Sequence, residues 1–139
     1  MTEIVETKIW MALRARIATL PLTFAKAWPK EEFTPPPMQP YLEIAHLPNA
    51  VQRPFIGHDD PNWRTGILQL TLMYPVALKH HGEVDIQYAG QIAAHFNQAV
   101  EMFYDDVKVT IERSPDVAQG YRDGVYWRTP VSVRWQAFA

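Results

Sequence analysis

Hydrophobic residues recur at intervals of three and four near the start of the chain. They are Val5, Ile9, Ala12, Leu13, Ile17 and Leu20. This spacing is the period of an amphipathic α-helix, and we predict one over residues 2–19, ended by Pro21. Arg16 falls inside the apolar stripe, and we expect its aliphatic stem to pack while its guanidinium reaches solvent.

Three further segments alternate apolar and polar positions, as β-strands do. They run from Leu22 to Trp28, from Tyr41 to Leu47 and from Arg64 to Val76. The third is the strongest, because one set of its alternate positions is apolar throughout. This set is Leu68, Leu70, Leu72 and Tyr74, and the opposite set is Ile67, Gln69, Thr71 and Met73.

Two long loops separate these strands. Residues 29–40 form a proline-rich bridge that contains Pro29, Pro35, Pro36, Pro37 and Pro40. Because proline fixes φ and lacks a backbone N–H, we expect this bridge to be extended and stiff. Residues 48–63 show no regular period, and a loop of this length in a compact domain is usually functional or mobile.

The second half of the chain contains one helical pattern followed by strands. Helical spacing of apolar residues predicts a second amphipathic helix over residues 83–104. Residues 107–111 alternate as a strand, and Asp123-Gly124 is a turn signal between strands at 117–121 and 125–138. Pro130 lies inside the last of these strands, which favours an edge position or a bulge.

The predicted order of elements is therefore α-β-β-β-α-β-β. Each helix has one apolar side, and the best strands are apolar mainly on one face. We predict a single α+β domain over residues 1–139, in which two helices pack on one face of a mostly antiparallel sheet. The other sheet face and the loops are then available to partners.

Composition narrows the possible functions. The 139 residues carry a formal net charge of −2, so no overall positive field favours specific nucleic-acid binding. The absence of cysteine excludes disulfides, thiolate nucleophiles and cysteine-ligated zinc. No apolar run is long enough to span a bilayer, and the first residues are acidic rather than basic. We therefore expect a soluble chain that is not exported and has no membrane partner.

The sequence offers little catalytic chemistry. His58-Asp59-Asp60 is the best candidate for a metal or acid–base cluster, and it keeps a small hydrolase open as an alternative function. The other histidines lack the spacing of metal ligands, and Ser114 and Ser132 lack a context that would activate a nucleophile. We expect a protein that is not an enzyme, with no catalytic residue, cofactor or metal.

Aromatic and basic residues in the two long loops are candidates for protein contacts. Large aromatic side chains and arginine are enriched among the few interface residues that contribute most of the binding energy. Packing within the domain is the alternative role for each of them. The predicted interface residues are Phe33, Phe55, Ile56, Trp63 and Arg64.

Several segments resemble those of the phage and prophage tail-terminator family, over nearly the whole chain. The resemblance lies in a pattern of prolines and strands rather than in a catalytic motif. The segments are Leu22 to Trp28, Phe33-Thr34-Pro35-Pro36, Pro40-Tyr41-Leu42, Leu47-Pro48, Arg64 to Leu70 and Thr129 to Trp135.

The resemblance implies a structural virion protein of long-tailed phages, assembled in the bacterial cytoplasm and located at the tail end. Its subunits would form a ring, commonly a hexamer, that caps the finished tail tube, stops polymerisation and offers a surface for joining the head. The implied partners are further copies of the chain, the major tail tube protein and a head-completion or neck protein. Free subunits could be monomers until a tube end supplies a template. A neck or head-completion connector is the alternative assembly role.

Overall fold

The structure is a computed structural model of the chain, and it describes residues 4–53, 61–78 and 82–139. Within these residues the chain forms two helices, α1 (Val5–Ala18) and α2 (Glu83–His95). It also forms eight strands. They are β1 (Ala25–Ala27), β2 (Tyr41–Pro48), β3 (Trp63–Pro75), β4 (Glu101–Tyr104), β5 (Val107–Ile111), β6 (Asp116–Val117), β7 (Tyr121–Asp123) and β8 (Tyr126–Phe138).

The strands form one sheet in the order β1-β2-β3-β8-β5-β4. Strands β3 and β8 pair antiparallel over their full lengths, from Trp63 opposite Phe138 to Pro75 opposite Tyr126. The other edge of β8 pairs in turn with β5, β6 and β7. All pairs are antiparallel except that of β1 with β2. The α+β fold class and the mostly antiparallel sheet are therefore confirmed.

Both helices pack on the same face of the sheet, as predicted. The predicted apolar set of β3 points to this face, and Leu68, Leu70 and Leu72 are completely buried. The register of β3 with β8 aligns these leucines with the apolar positions of the last strand. The remaining core residues include Ile9, Leu13, Ile17, Leu42, Ile44, Ala89, Ile92, Phe96, Val109, Val131, Val133 and Trp135.

The second helix is shorter than predicted and ends at His95 rather than near residue 104. Asn97 ends it, because its side chain accepts a hydrogen bond from the Ala99 amide at 2.9 Å and donates one to the Ala94 carbonyl at 3.0 Å. Such local side-chain bonds give the backbone an alternative to the helix. Phe103 consequently lies in β4, outside the helical stripe to which its spacing assigned it.

The expectation that the Arg16 guanidinium reaches solvent was wrong. Its Nε and one terminal nitrogen donate hydrogen bonds to the carbonyl oxygen of His95, at 3.0 and 2.7 Å. His95 is the last residue of α2, where carbonyl oxygens lack partners inside the helix and the helix dipole is negative. Arg16 therefore stabilises the end of α2 and joins the two helices.

Strand β8 is internal, contrary to the edge position inferred from Pro130. The carbonyl oxygen of Pro130 accepts the N–H of Ala118 at 2.9 Å. In an antiparallel ladder the nitrogen and the oxygen of one residue face the same neighbour, so the proline nitrogen also faces this side. The partner strands there, β6 and β7, are short and interrupted, so the missing N–H does not weaken the pairing with β3.

Trp135 is buried directly against Gly66, its partner across β3 and β8. A Cβ atom added at Gly66 would lie 2.5 Å from Cζ2 of the indole. Only glycine therefore leaves room for the tryptophan at this position.

We predict that Gly66→Ala destabilises the fold by about 1–3 kcal/mol, because an overpacked core must displace the indole or the backbone. The free energy of unfolding, measured in urea, tests this. Gly90→Ala is the matched control, since Gly90 is exposed in α2 and an added Cβ meets nothing within 4 Å. The free energy of unfolding of the control should increase by about 0.5–1 kcal/mol, because alanine is more favourable than glycine inside a helix. A Gly66→Ala variant as stable as the unmodified chain would contradict the packing argument.

His46 on β2 lies between two tryptophans. Its ring stacks on Trp10 of α1, with centroids 5.3 Å apart, and lies 5.5 Å from the ring of Trp135. Nε2 is buried without a hydrogen-bond partner among the described residues. Burial therefore lowers the pKa of His46 below its ordinary value of 6.5.

We predict that His46 makes the fold less stable as the pH falls below 6.5. The unfolded chain binds a proton there, whereas the folded chain keeps the imidazole neutral, so protonation favours unfolding. The free energy of unfolding should decrease from pH 7 to about pH 5. In the His46→Phe variant, this decrease should be smaller over the same interval. An identical decrease in both proteins would show that other groups, such as His95, cause the effect.

Candidate protein-interaction surfaces

The sheet face opposite the helices is covered at one end by the proline-rich bridge. Phe33 packs against Tyr41, with ring centroids 4.9 Å apart, and Tyr126 meets Tyr41 edge-on at 5.3 Å. Lys30 and Met38 adopt positive φ values of 64° and 56°, which are uncommon outside glycine and occur mostly in turns. The predicted interface residue Phe33 is thus half-buried within its own domain.

Charged residues beside this covered end are paired. Arg128 donates hydrogen bonds to Glu43 at 2.8 Å and to Asp123 at 3.2 Å. The hydrogen bond to Glu43 raises the pKa of Arg128 above its ordinary value. This cluster joins β2, β7 and β8 on the outer face and needs no partner from outside the chain.

At the other end of the strands, no described element covers the same face. We define the open sheet face by six residues, namely Leu47, Trp63, Ile67, Phe103, Arg134 and Phe138. The strand registers place them on one side, because Leu47 is opposite Ile67, Ile67 is opposite Arg134, and Trp63 is opposite Phe138. Phe103 is opposite Lys108, which lies on the same side of β5 as Thr110, the partner of Gln136. The relative exposure is 55% for Leu47, 64% for Phe103 and 54% for Phe138. Leu47 with Ile67 and Trp63 with Phe138 form two apolar groups, separated by Thr65 and Gln136. Exposed apolar groups on one face of a sheet often mark an interaction site.

Trp63 is the predicted interface residue that lies on this surface. Its ring is nearly parallel to that of Phe138, at 15° with centroids 6.5 Å apart. Its Nε1 donates a hydrogen bond to the Gln136 side chain at 3.2 Å. The indole is therefore held in one position, as an aromatic anchor in an interface should be.

Arg64 lies on the helix side of the sheet. It forms an ion pair with Glu6 of α1, and its Nε donates to the carbonyl oxygen of Ala139 at 3.2 Å. Its side chain is only 14% exposed. The pKa of Glu6 lies below its ordinary value, chiefly through a hydrogen bond with its own backbone and also through Arg64. These contacts give Arg64 a structural role, which ties α1 to the sheet.

The structure does not bring the predicted interface residues together. Phe33 and Trp63 lie at opposite ends of the outer face, and Arg64 lies on the helix side. Phe55 and Ile56 lie outside the described residues, so their prediction is untested.

The hydrolase alternative has no support from the part of the chain that the structure describes. His58, Asp59 and Asp60 lie outside the described ranges. Elsewhere, no group of three or more histidine and acidic side chains could hold a metal ion among residues 4–53, 61–78 and 82–139. Over the same ranges, neither helix has the length and apolar character needed to cross a membrane.

Sequence reasoning missed three exposed apolar members of the open sheet face. The alternation that placed Trp135 in the core also placed Phe138 on the outer face, and this signal could have revealed it. Phe103 was missed because it continues the helical spacing of apolar residues, which placed it in the predicted helix. Leu47 was read only as the end of a strand.

When the sequence is compared with known proteins, it matches one family. A family profile described as phage tail terminator protein matches residues 8–135. The chain belongs to this family.

One solved structure is similar in fold to this tail terminator. The protein in that structure is named Np_888769.1, and this name states no function. The two share 20% sequence identity with a TM-score of 0.78, over 99% of this chain and 98% of the other. At this identity the similarity shows the fold alone. No curated protein matches the sequence.

For the tail terminator we predict that Arg64→Met lowers the free energy of unfolding by about 1 kcal/mol, because a partly buried ion pair is lost. Glu6→Gln should have a similar effect. In the double variant, the decrease in the free energy of unfolding should be smaller than the sum of the decreases in the two single variants. A double-mutant cycle in urea would measure this difference.

The control for this cycle is Arg14→Met, at an exposed position on α1. The Arg14 guanidinium lies 5.7 Å from the centre of the Trp28 ring, and a methionine side chain can keep a contact with that ring. The control should therefore change the free energy of unfolding little, and its effect should add to that of Glu6→Gln. Additive effects of the Arg64 and Glu6 variants would contradict the pairing.

Proposed function

We propose that this tail terminator acts as a structural ring at the end of the phage tail tube. Copies of the chain close around the tube end, stop the addition of tube subunits and present a surface to the head-completion or neck protein. The ring is commonly a hexamer in this family. The match of residues 8–135 to the tail terminator family is the observation that carries the proposal.

The shape of the domain suits a protein with partners on two sides. Strands β3 and β8 each contain 13 residues, which corresponds to about 40 Å from end to end. Exposed apolar residues lie at both ends, with Phe138 at one end and Val125 of the β7–β8 turn, 69% exposed, at the other. A tail terminator has the tube on one side and the head on the other, and two separate surfaces can serve these contacts.

The proposed activity needs no bond chemistry. The ring acts through surface complementarity, and a repeating head-to-tail contact between copies closes the ring when the rotation per subunit divides a full turn. The protein is accordingly proposed as a non-enzymatic virion component located where the tail meets the head.

The test is to grow tail tubes from the tube protein of the same phage, with and without the purified chain. Electron microscopy should show an added ring at one tube end, and these tubes should not lengthen when more tube protein is supplied. Tubes grown without the chain are the control.

Two outcomes would reject termination. Tubes that continue to lengthen without a bound ring would reject it directly. Binding to isolated portal or connector protein, without any binding to tubes, would instead assign the chain to the neck.

A further inference from the structure

Arg134 lies in the open sheet face without an ionic partner among the described residues. It is partly buried, and its Nε is buried without a hydrogen bond. Glu112 is its neighbour across the ladder, where the Glu112 amide donates to the Arg134 carbonyl at 2.8 Å, but the two side chains form no ion pair. In the described part of the chain, the other partly buried cations each contact an acid or a carbonyl oxygen. They are Lys8, Arg16, Lys26, Arg64 and Arg128.

The surroundings of Arg134 define the chemistry of a suitable partner. Ile67 and Leu47 lie beside it in the same row of the sheet, and the stacked pair of Trp63 and Phe138 lies further along the strands. An acidic group would pair with the guanidinium, and flat apolar groups would cover the aromatic rings. Extended proline-rich segments dock on aromatic surfaces because they are already ordered and lose little conformational entropy.

The proline-rich bridge of this same chain has this chemistry. Glu31 and Glu32 are exposed and form no ion pair within the described part of the chain. Pro37 and Met38 form an exposed turn further along the bridge, with Met38 55% exposed. The bridge therefore combines unpaired acids with proline and an apolar side chain.

Within one subunit, no ion pair or aromatic contact of the described residues joins the bridge to the open sheet face. Phe33 holds the middle of the bridge at Tyr41, about six residues of strand, or about 20 Å, from Leu47. The first residues of the bridge lie beside Trp10 and Arg14 of α1, on the helix side of the sheet. The acids of the bridge are therefore not paired with Arg134 of their own subunit, and a second copy can supply the bridge.

We propose that the open sheet face of one subunit binds the proline-rich bridge of a second copy. Arg134 pairs with Glu31 or Glu32, and the turn at Pro37 and Met38 covers Trp63 and Phe138. One patch meets a different patch, so the contact is head-to-tail and can repeat around a ring. This inference rests on the proposed ring and names the surfaces that form it.

Disulfide trapping tests the contact, because the chain contains no cysteine of its own. Two single variants, Met38→Cys on the bridge and Phe138→Cys on the open sheet face, are mixed under mild oxidation, in solution and with tube ends. We expect a cross-linked dimer to form at least about tenfold faster than in the control pair of Met38→Cys with Ile86→Cys. Ile86 is a suitable control because it is 68% exposed on α2, outside the open sheet face.

Charge reversal then tests the proposed ion pair. Adding Arg134→Glu to the Phe138→Cys chain should slow the trapping about tenfold, and adding Glu31→Arg and Glu32→Arg to the Met38→Cys chain should restore it. Glu83→Arg, at an exposed acid on α2, should not restore it. Circular dichroism checks that each variant is folded.

The proposal is overturned if the Met38→Cys and Phe138→Cys pair cross-links no faster than the control pair, both in solution and on tubes. It is also overturned if the folded Arg134→Glu variant traps as fast as its parent. Either result leaves the proposed function intact when the unmodified chain still caps tubes. Failure of the unmodified chain to cap tubes would instead reject the proposed function.

Discussion

The full-length pairing of β3 with β8 is the constraint on which the rest of the structure depends. Side chains alternate between the faces of a sheet, so one register sends Leu68 and Leu70 to the helices and leaves Trp63 and Ile67 on the outer face. A shift by one residue would reverse both sets and place polar groups in the core. The close approach of the Trp135 indole to residue 66 holds this register, because a larger side chain than glycine has no room there.

Three arginines join elements of the fold to one another. Arg16 binds the end of α2, Arg64 holds the start of α1 and Arg128 joins β2 to the β7–β8 hairpin. Each is partly buried and has a partner, as expected where an unpaired cation would lose hydration without compensation. Arg134 is partly buried but has no such partner in the described structure. The fold therefore accounts for the first three arginines, and the contact proposed with a second copy would give the fourth a partner.

The sequence predicted the fold well because periodicity reports burial directly. The strand that contains Leu68 and Leu70 alternates so regularly that its faces were assigned correctly. The end of α2 was predicted incorrectly, because the side-chain bonds of Asn97 stop the helix while the apolar spacing continues as far as Phe103. The candidate surface was found only in part. Trp63 belongs to it, but the residues around Trp63 come from four strands that are distant in sequence, and no local pattern shows that they meet.

A ring and an open filament can use the same head-to-tail contact, and the angle between the two contact surfaces decides between them. If the bridge of one copy binds the open sheet face of the next, both surfaces adjoin the same strand, β2. The bridge is also held at its start, where the preceding residue Trp28 packs against Trp10, and at Phe33, which packs against Tyr41. A rigid connection of this kind sets the rotation per subunit through packing inside the domain. The core would then determine ring closure, although no core residue takes part in the contact.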